Sequence, residues 1–546
     1  MKKFLILLLI TFFGLGFSSI NAAGKTAYNI ITNPGENLAN SVRINYHTDV
    51  LDTFVEFTTV SDTSFNNATR VSGTYENWSA PQGAAIIGFG DRYRVRVNLE
   101  DLSPDTKYMY RVGKEGDFSK NYYFSTAKEG DFTFLHITDP QYYNETTSQI
   151  FNNLMTQAFN KNPDITFTFF TGDIIDDGGD ENQWNMFYNK SNINRQVIAT
   201  IPGNHEYYDA MGSGSYFGEF YNINNNNPDN GARNHLNNTY YFRYNNALFI
   251  GLNTESKTQA TLKPWFEEVV QKNNDADFII VGMHRSMYGS IYASDSINVR
   301  YNWLEVFDRY GVDLVLSGHD HIYSRSHIAY NNKVSTDPIR GTTYIIGGSG
   351  GEKFYSAEEN DLYAKVIERT SLANLITVTD KEIYIDVINL AGNTVDELKD
   401  SQGNPKPILT KRVGSSDPNF SRDSFKEAIV LEQTSAKPLT ATLTWPKSAY
   451  KNVINMQVVQ TDYDYVIKQA YMYHPDINSF TFTDISSNKL NIFKVVVTYS
   501  DLSKDELFYE IDTTVPEEKP RIRILEAFEI MKTEFDAIIR SIYSGD

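Results

Sequence analysis

Five short apolar runs, each ending in a polar cluster, constrain this chain more than any other feature. The runs are Phe132–Thr138, Ile165–Thr171, Val197–Pro202, Phe278–Met283 and Val312–Ser317. The clusters that follow are Asp139-Pro140-Gln141, Gly172-Asp173, Gly203-Asn204-His205-Glu206, His284 and Gly318-His319-Asp320-His321. Runs of this length without polar alternation read as strands buried on both faces. Polar residues at the carboxyl ends of such strands are how open α/β sheets place ligand-binding groups along one edge. Carboxylate, amide and imidazole are the oxygen and nitrogen donors that hold divalent transition metals. The pattern predicts a metal site.

With 546 residues the chain is too long for one core, so two to four domains are expected. Met1-Lys2-Lys3, the apolar stretch Phe4–Phe17 and the small residues to Ala23 have the three parts of a secretory signal peptide. That stretch is shorter than the ~20 residues of a spanning helix, so residues 1–23 read as a cleaved leader with no membrane anchor left after it. The expected location is secreted, periplasmic or cell-surface. The chain has no cysteine, which excludes disulfides and cysteine-bound zinc. A net charge of −19 disfavours nucleic acid and anionic membranes as partners. It leaves a small phosphorylated substrate open, because bound cations dominate the field inside a site.

Residues 24–128 hold alternating segments, among them Val42–Tyr46, Phe54–Thr58, Tyr93–Val97, Lys107–Val112 and Tyr122–Ser125, with no helical period between them. An antiparallel β-sandwich is expected, and Leu102–Tyr110 resembles a strand pattern of fibronectin type III modules. Over residues 129–396 strand-like runs alternate with helical stretches such as Thr147–Asn160 and Leu262–Asn273, which predicts an α/β domain of sheet layers flanked by helices. The asparagine-rich stretch Asn222–Asn238 reads as a surface loop. From 397 the composition turns polar, and then alternating segments return from Leu439 to Tyr499, so 397–546 is expected to be β-rich. It closes on Pro520–Tyr543, where Ile524, Phe528, Met531, Phe535 and Ile538 recur at helical spacing.

Taken together, the five clusters resemble the calcineurin-like metallophosphoesterase superfamily, and with the preceding β-domain they look most like its purple acid phosphatase branch. Gly203-Asn204-His205-Glu206, Gly318-His319-Asp320-His321-Ile322-Tyr323 and Val281-Gly282-Met283-His284 carry the likeness. The resemblance implies two divalent or trivalent metal ions bridged by Asp173. Asn204, His284 and His319 would complete one site, Asp139 and His321 the other. It implies that metal-bound hydroxide attacks phosphorus in line. His205 would serve the leaving oxygen, a role suited to imidazole.

Two positions depart from that pattern. The branch places a tyrosine three residues after the bridging aspartate, where this chain has Asp176, and a glycine where it has Gln141. Without the phenolate no ferric colour is expected, and zinc, manganese and iron all suit the remaining donors. Gln141 is a candidate contact to metal or bound water, or a plain hydrogen-bonding amide. Asp176 is a candidate ligand, or part of an ordinary turn. Arg285 is a candidate phosphate contact, or the partner of an acidic neighbour. The function expected is phosphomonoester hydrolysis. Competing expectations are a phosphodiesterase or nucleotidase and, from another class, a non-catalytic surface binding protein, which the intact ligand set argues against.

Overall fold

The computed structural model describes residues 24–514, apart from 81–85, 191, 210–224, 234, 257–258, 274, 290, 336–340, 411–418, 437–438, 447–451, 462–464, 472–477, 484 and 500–502. The expected leader and the expected closing helix lie outside the described residues. The chain divides into two compact units, Met1–Lys411 and Arg412–Asp546.

The first unit opens with a β-sandwich. One sheet pairs Tyr28–Pro34, Val42–Thr48, Arg92–Leu99 and Thr74–Trp78 in that order. The other is built around Phe54–Thr59 and Lys107–Lys114. Val42, Ile44, Val55, Val95, Tyr110 and Phe124 are buried in its core.

Two seven-stranded sheets follow. In the first, Phe132–Ile137, Ile165–Phe170 and Val197–Thr200 run parallel, and Leu372–Val378 joins antiparallel. In the second, Ala247–Leu252, Phe278–Arg285, Leu314–Gly318 and Thr343–Gly347 run parallel. The unbroken apolar runs have a physical reason, since each strand feeds two cores. Phe134, Phe167 and Phe169 point toward the second sheet, where Phe249 stands edge-on to Phe134 and Phe167 at 5.2 and 5.1 Å between ring centroids. Leu135, Ile137 and Phe170 point outward and pack with Phe151, Leu154, Met155 and Trp184 of two helices.

Those helices are Glu145–Lys161 and Glu181–Tyr188. The longer starts at a capping box, in which Asn144 accepts from the Thr147 N–H while the Thr147 hydroxyl reaches back to the cap. Its buried Phe151, Leu154, Met155 and Ala158 follow the helical period. Lys263–Lys272 and Ala293–Tyr310 form the helices of the second sheet's region, with Phe266, Trp303 and Phe307 packed together.

The α/β region therefore follows an N-terminal β-sandwich, as the sequence implies. One boundary differs from the compositional reading. Leu409–Thr410 pairs with Glu382–Asn389, so the first sheet continues past residue 397 and the unit ends at 411. A two-residue strand inside a polar, turn-rich segment leaves no periodicity to detect. The asparagine-rich stretch also differs from a surface loop. Asn225, Asn226 and Asn227 are buried, and the Asn226 N–H donates to Asn33 of the sandwich at 2.9 Å.

The second unit has its own core. Val430–Ala436, Leu439–Thr444 and Ser479–Phe482 make one sheet, and Tyr465–Tyr471, Val453–Gln460, Leu490–Tyr499 and Lys504–Asp512 another. Leu443, Met456, Val458, Phe493 and Val495 are buried within it.

Candidate metal centre

All six expected ligands sit where parallel strands end. Asp139, Asp173, His319 and His321 have φ between +48° and +74°, the left-handed region that L-residues seldom occupy. Four such residues, two after strands of the first sheet and two after a strand of the second, are the kind of backbone strain that collects at functional sites. Gly172, at φ +96°, lets two of these loops meet, because a Cβ there would lie 2.6 Å from both the Gly203 nitrogen and His284 Nδ1.

The side chains converge into two groups that share one carboxylate. Asp173, His284 and His319 offer atoms within 4.8 Å of one another, and so do Asp139, Asp173 and His321. His284 Nε2 lies 3.3 Å from Asp173 Oδ2, 3.2 Å from Asn204 Oδ1 and 3.2 Å from His319 Nδ1. On the other side His321 Nε2 is 3.6 Å from Asp139 Oδ1.

Each imidazole is turned by what holds its outer nitrogen. His284 Nδ1 meets the Thr171 carbonyl oxygen at 2.9 Å, His321 Nδ1 the Lys353 carbonyl oxygen at 3.0 Å, and His319 Nε2 the Asp295 carboxylate at 3.3 Å. An N–H donated outward leaves a lone pair facing inward, which is how second-shell oxygens orient metal-binding histidines. Asn204 is fixed likewise, its amide nitrogen donating to the Tyr208 hydroxyl at 3.0 Å so that its oxygen faces His284. Glu206 ties the loops together, for its buried carboxylate accepts from the backbone N–H groups of Asp173, Ile174 and Gly203 at 2.7–2.8 Å.

The charges call for a cation. Burial, with the charge of Asp173 beside it, pushes Asp139 up to about 8. Burial works against charge on Asp173 too, but His284 and His205 outweigh it and hold this carboxylate below its usual range. In return, and against its own burial, Asp173 raises His284 to about 10. Burial lowers His319 to about 2 and His321 to about 3, so both stay neutral. The raised His284 and Asp139 both express the same demand of this cluster for positive charge. Two ions held by Asp173, Asn204, His284 and His319, and by Asp139, Asp173 and His321, fit this donor set.

The remaining candidates form two further groups. Gln141, Asp176 and His205 touch one another: the Gln141 amide nitrogen lies 3.2 Å from Asp176 Oδ1 and also contacts the His205 ring. His205 Nδ1 meets the Asp176 carbonyl oxygen, and Nε2 lies 3.9 Å from Asp173 Oδ2. Arg285 is held by both Glu255 oxygens, at 2.8 and 2.7 Å, and by Asp295. Arg325 pairs with Asp396 at 2.8 and 3.1 Å. His136, within its strand, is buried and bonded to Thr171.

Sequence reasoning passed over Asp295, Tyr208 and the backbone-holding role of Glu206. It also missed two aromatic walls. Tyr292 lies against His319 at 4.3 Å between centroids, and Tyr355 stands edge-on to His321 at 5.2 Å. Glu206 stands within the Gly203–Glu206 cluster, whereas Asp295, Tyr208, Tyr292 and Tyr355 sit in no recognisable motif and only the fold brings them to the site.

Residues 132–323 match the calcineurin-like phosphoesterase family, and residues 27–126 match the purple acid phosphatase N-terminal domain. Along the chain the N-terminal domain comes first and the phosphoesterase domain second. Its relatives include phosphoenolpyruvate phosphatase of Allium cepa, 28% identical over 290 residues, covering 48% of this chain and 58% of that protein. Purple acid phosphatase 1 of Ipomoea batatas is 28% identical over 290 residues, covering 48% and 59%. A Mycobacterium tuberculosis protein of uncharacterised function is 23% identical over 331 residues, covering 49% and 62%. The chain therefore spans about three fifths of the length of these relatives. The fold of the phosphoesterase domain and its N-terminal partner is shared with a purple acid phosphatase from Lupinus luteus seeds, at a TM-score of 0.58 and 17% identity, covering 68% of this chain and 74% of that one. The family implies a binuclear metal centre, and the two side-chain groups around Asp173 lie within its matched residues.

Proposed function

We propose that this chain is an exported phosphohydrolase acting on phosphomonoesters with two metal ions. The observation that carries the reading is Asp173, one carboxylate common to two groups of donors. Asp173, Asn204, His284 and His319 would hold one ion, and Asp139, His321 and Asp173 the other. When bound, such a pair supplies a water ionised near neutral pH and neutralises charge on the phosphoryl oxygens.

The chain's own groups do the rest. Glu206 locks the Asp173 and Asn204 loops through three backbone N–H groups, so these two donors move as one piece. His205 assists the leaving oxygen. With Nδ1–H donated to the Asp176 carbonyl, the proton that travels is the one on Nε2. Once it has left, the Nε2 lone pair can accept from the Gln141 amide, which stabilises the neutral ring. Arg285 is engaged by two carboxylates, and this favours pairing over phosphate contact. Monoester preference follows the acid phosphatases among the relatives, and export follows the leader-like residues 1–23.

The test is Asp173→Asn, with metal content and hydrolysis of chromogenic mono- and diesters measured on the same sample. Loss of most hydrolysis together with weakened metal binding, in a folded protein, is expected. Near-normal turnover with both ions bound would refute the assignment, and faster diester than monoester cleavage would move the substrate class.

A further inference from the structure

The two departures from the family pattern, Gln141 and Asp176, touch each other, and their hydrogen bonds leave one atom unaccounted for. The Gln141 amide nitrogen lies 3.2 Å from Asp176 Oδ1, a carboxylate oxygen that receives one of its hydrogens, and beside the His205 ring, which receives the other when its Nε2 carries no proton. Turning the amide over would set its oxygen against the Asp176 carboxylate, acceptor against acceptor, so the orientation is fixed. Its oxygen, Oε1, is then buried with no hydrogen-bond partner among the described residues. Leaving a buried acceptor unsatisfied costs about 1–3 kcal/mol, which a chain tolerates where something else occupies the place.

The backbone carries the residue to the place in question. Gln141 stands two residues after Asp139, has φ +39° and donates its N–H to the Asp173 carbonyl oxygen at 3.0 Å. The Asp139 side is also the poorer in donors, with Asp139, His321 and the shared Asp173 against four on the other. We propose that Gln141 is a ligand of the ion on the Asp139–His321 side through its side-chain oxygen. Asp176 is not a ligand but the anchor that aims it, and this rests on the two-metal reading above. Three oxygens and one imidazole make a harder donor set than the His284–His319 side, and carbonyl and carboxylate oxygens suit Mn²⁺ where imidazole suits Zn²⁺.

The experiment titrates the chelator-stripped full chain with Mn²⁺ and with Zn²⁺ by calorimetry, checked by elemental analysis. Wild type should take up two ions. Gln141→Ala should weaken one of them, and only one, by at least the ~10–100-fold that loss of an outer-shell partner costs. Gln141→His should restore binding and shift that site's preference from Mn²⁺ toward Zn²⁺; it also carries the test if the alanine variant fails to fold. Asp176→Ala should give a smaller fall at the same site. Unchanged constants in Gln141→Ala would overturn the proposal while leaving two-metal binding intact. So would a larger fall in Asp176→Ala than in Gln141→Ala, which would make Asp176 the ligand. A wild type that binds fewer than two ions would overturn the two-metal reading, and this proposal with it.

Discussion

At the scale of single residues, the donors and the groups that aim them were unequally visible. His319 has its outer nitrogen 3.3 Å from Asp295, and Asp295 is itself held by Arg285. If that carboxylate fixes the ring, Asp295→Ala should weaken the ion on the His284–His319 side by ~10–100-fold, the usual cost of losing an outer-shell partner. The Asp139 side should keep its affinity, and equal weakening of both ions in a calorimetric titration would count against it. His205→Ala should keep both metals and lose ~10²–10⁴-fold in rate, with less loss on substrates whose leaving groups need no proton. Identical losses on good and poor leaving groups would remove the acid role. Asp139, Asp173, Asn204, His284, His319 and His321 were legible in the sequence because each stands directly after an apolar run. Asp295 was not, since it sits in the first turn of the helix Ala293–Tyr310 and only the fold carries it to His319. Gln141 and Asp176 were legible as departures, but not as partners.

At the scale of elements, strands were easier to read than helices because the strands here are doubly buried. Phe132–Ile137 and Ile165–Phe170 lie between two cores, so nearly every position is apolar or small. The close approach of the sheets is written at Gly282, where a Cβ would lie 2.3 Å from the Phe169 ring. The helix Ala293–Tyr310 was not singled out, although Val299, Trp303, Val306, Phe307 and Tyr310 follow its period, because charged and amide residues dilute the stripe. Its last turn carries a pH-sensitive cost. One oxygen of Asp308 accepts from the Asn331 N–H at 2.9 Å and the other is buried without a hydrogen-bond partner among the described residues, and burial raises the carboxyl to about 6. A carboxyl raised in the fold favours folding while it is protonated. That contribution is complete below its unfolded value of ~3.9 and is lost as pH rises through about 6. Proximity to the carbonyl end of a helix adds to the disfavour of negative charge. Asp308→Asn should therefore raise the thermal midpoint at pH 7.5 and change it little at pH 4. A fall at pH 7.5 in a scanning experiment would contradict the argument.

At the scale of the whole molecule, the phosphoesterase domain and the N-terminal sandwich behave as one structural unit, and a chain of contacts runs from the sandwich to the site. Arg92, on a sandwich strand, makes a buried two-pronged pair with Glu181 at the start of the helix Glu181–Tyr188. Two residues on, Gln183 accepts from the backbone N–H groups of Asp176 and Asp177 at 2.9 Å, and Asp176 meets Gln141 and His205. Asn33 reinforces the junction by donating to the Ile198 carbonyl oxygen at 2.8 Å, on the strand that leads to Asn204. None of this was legible beforehand, because Arg92 and Glu181 lie in unrelated stretches and neither belongs to a motif. The pair makes a prediction that separates its two energetic parts. Arg92→Met alone strands a buried carboxylate and should destabilise the first unit by ~3–5 kcal/mol in denaturant unfolding. Replacing Glu181 by Met as well removes the stranded charge and should recover most of that loss, since a buried pair gives little over apolar side chains of similar volume. If the double variant is instead as unstable as the single one, the loss comes from the Arg92 guanidinium lying over the Tyr28, Trp78 and Phe89 rings, and the ion pair is not what fastens the sandwich to the helix.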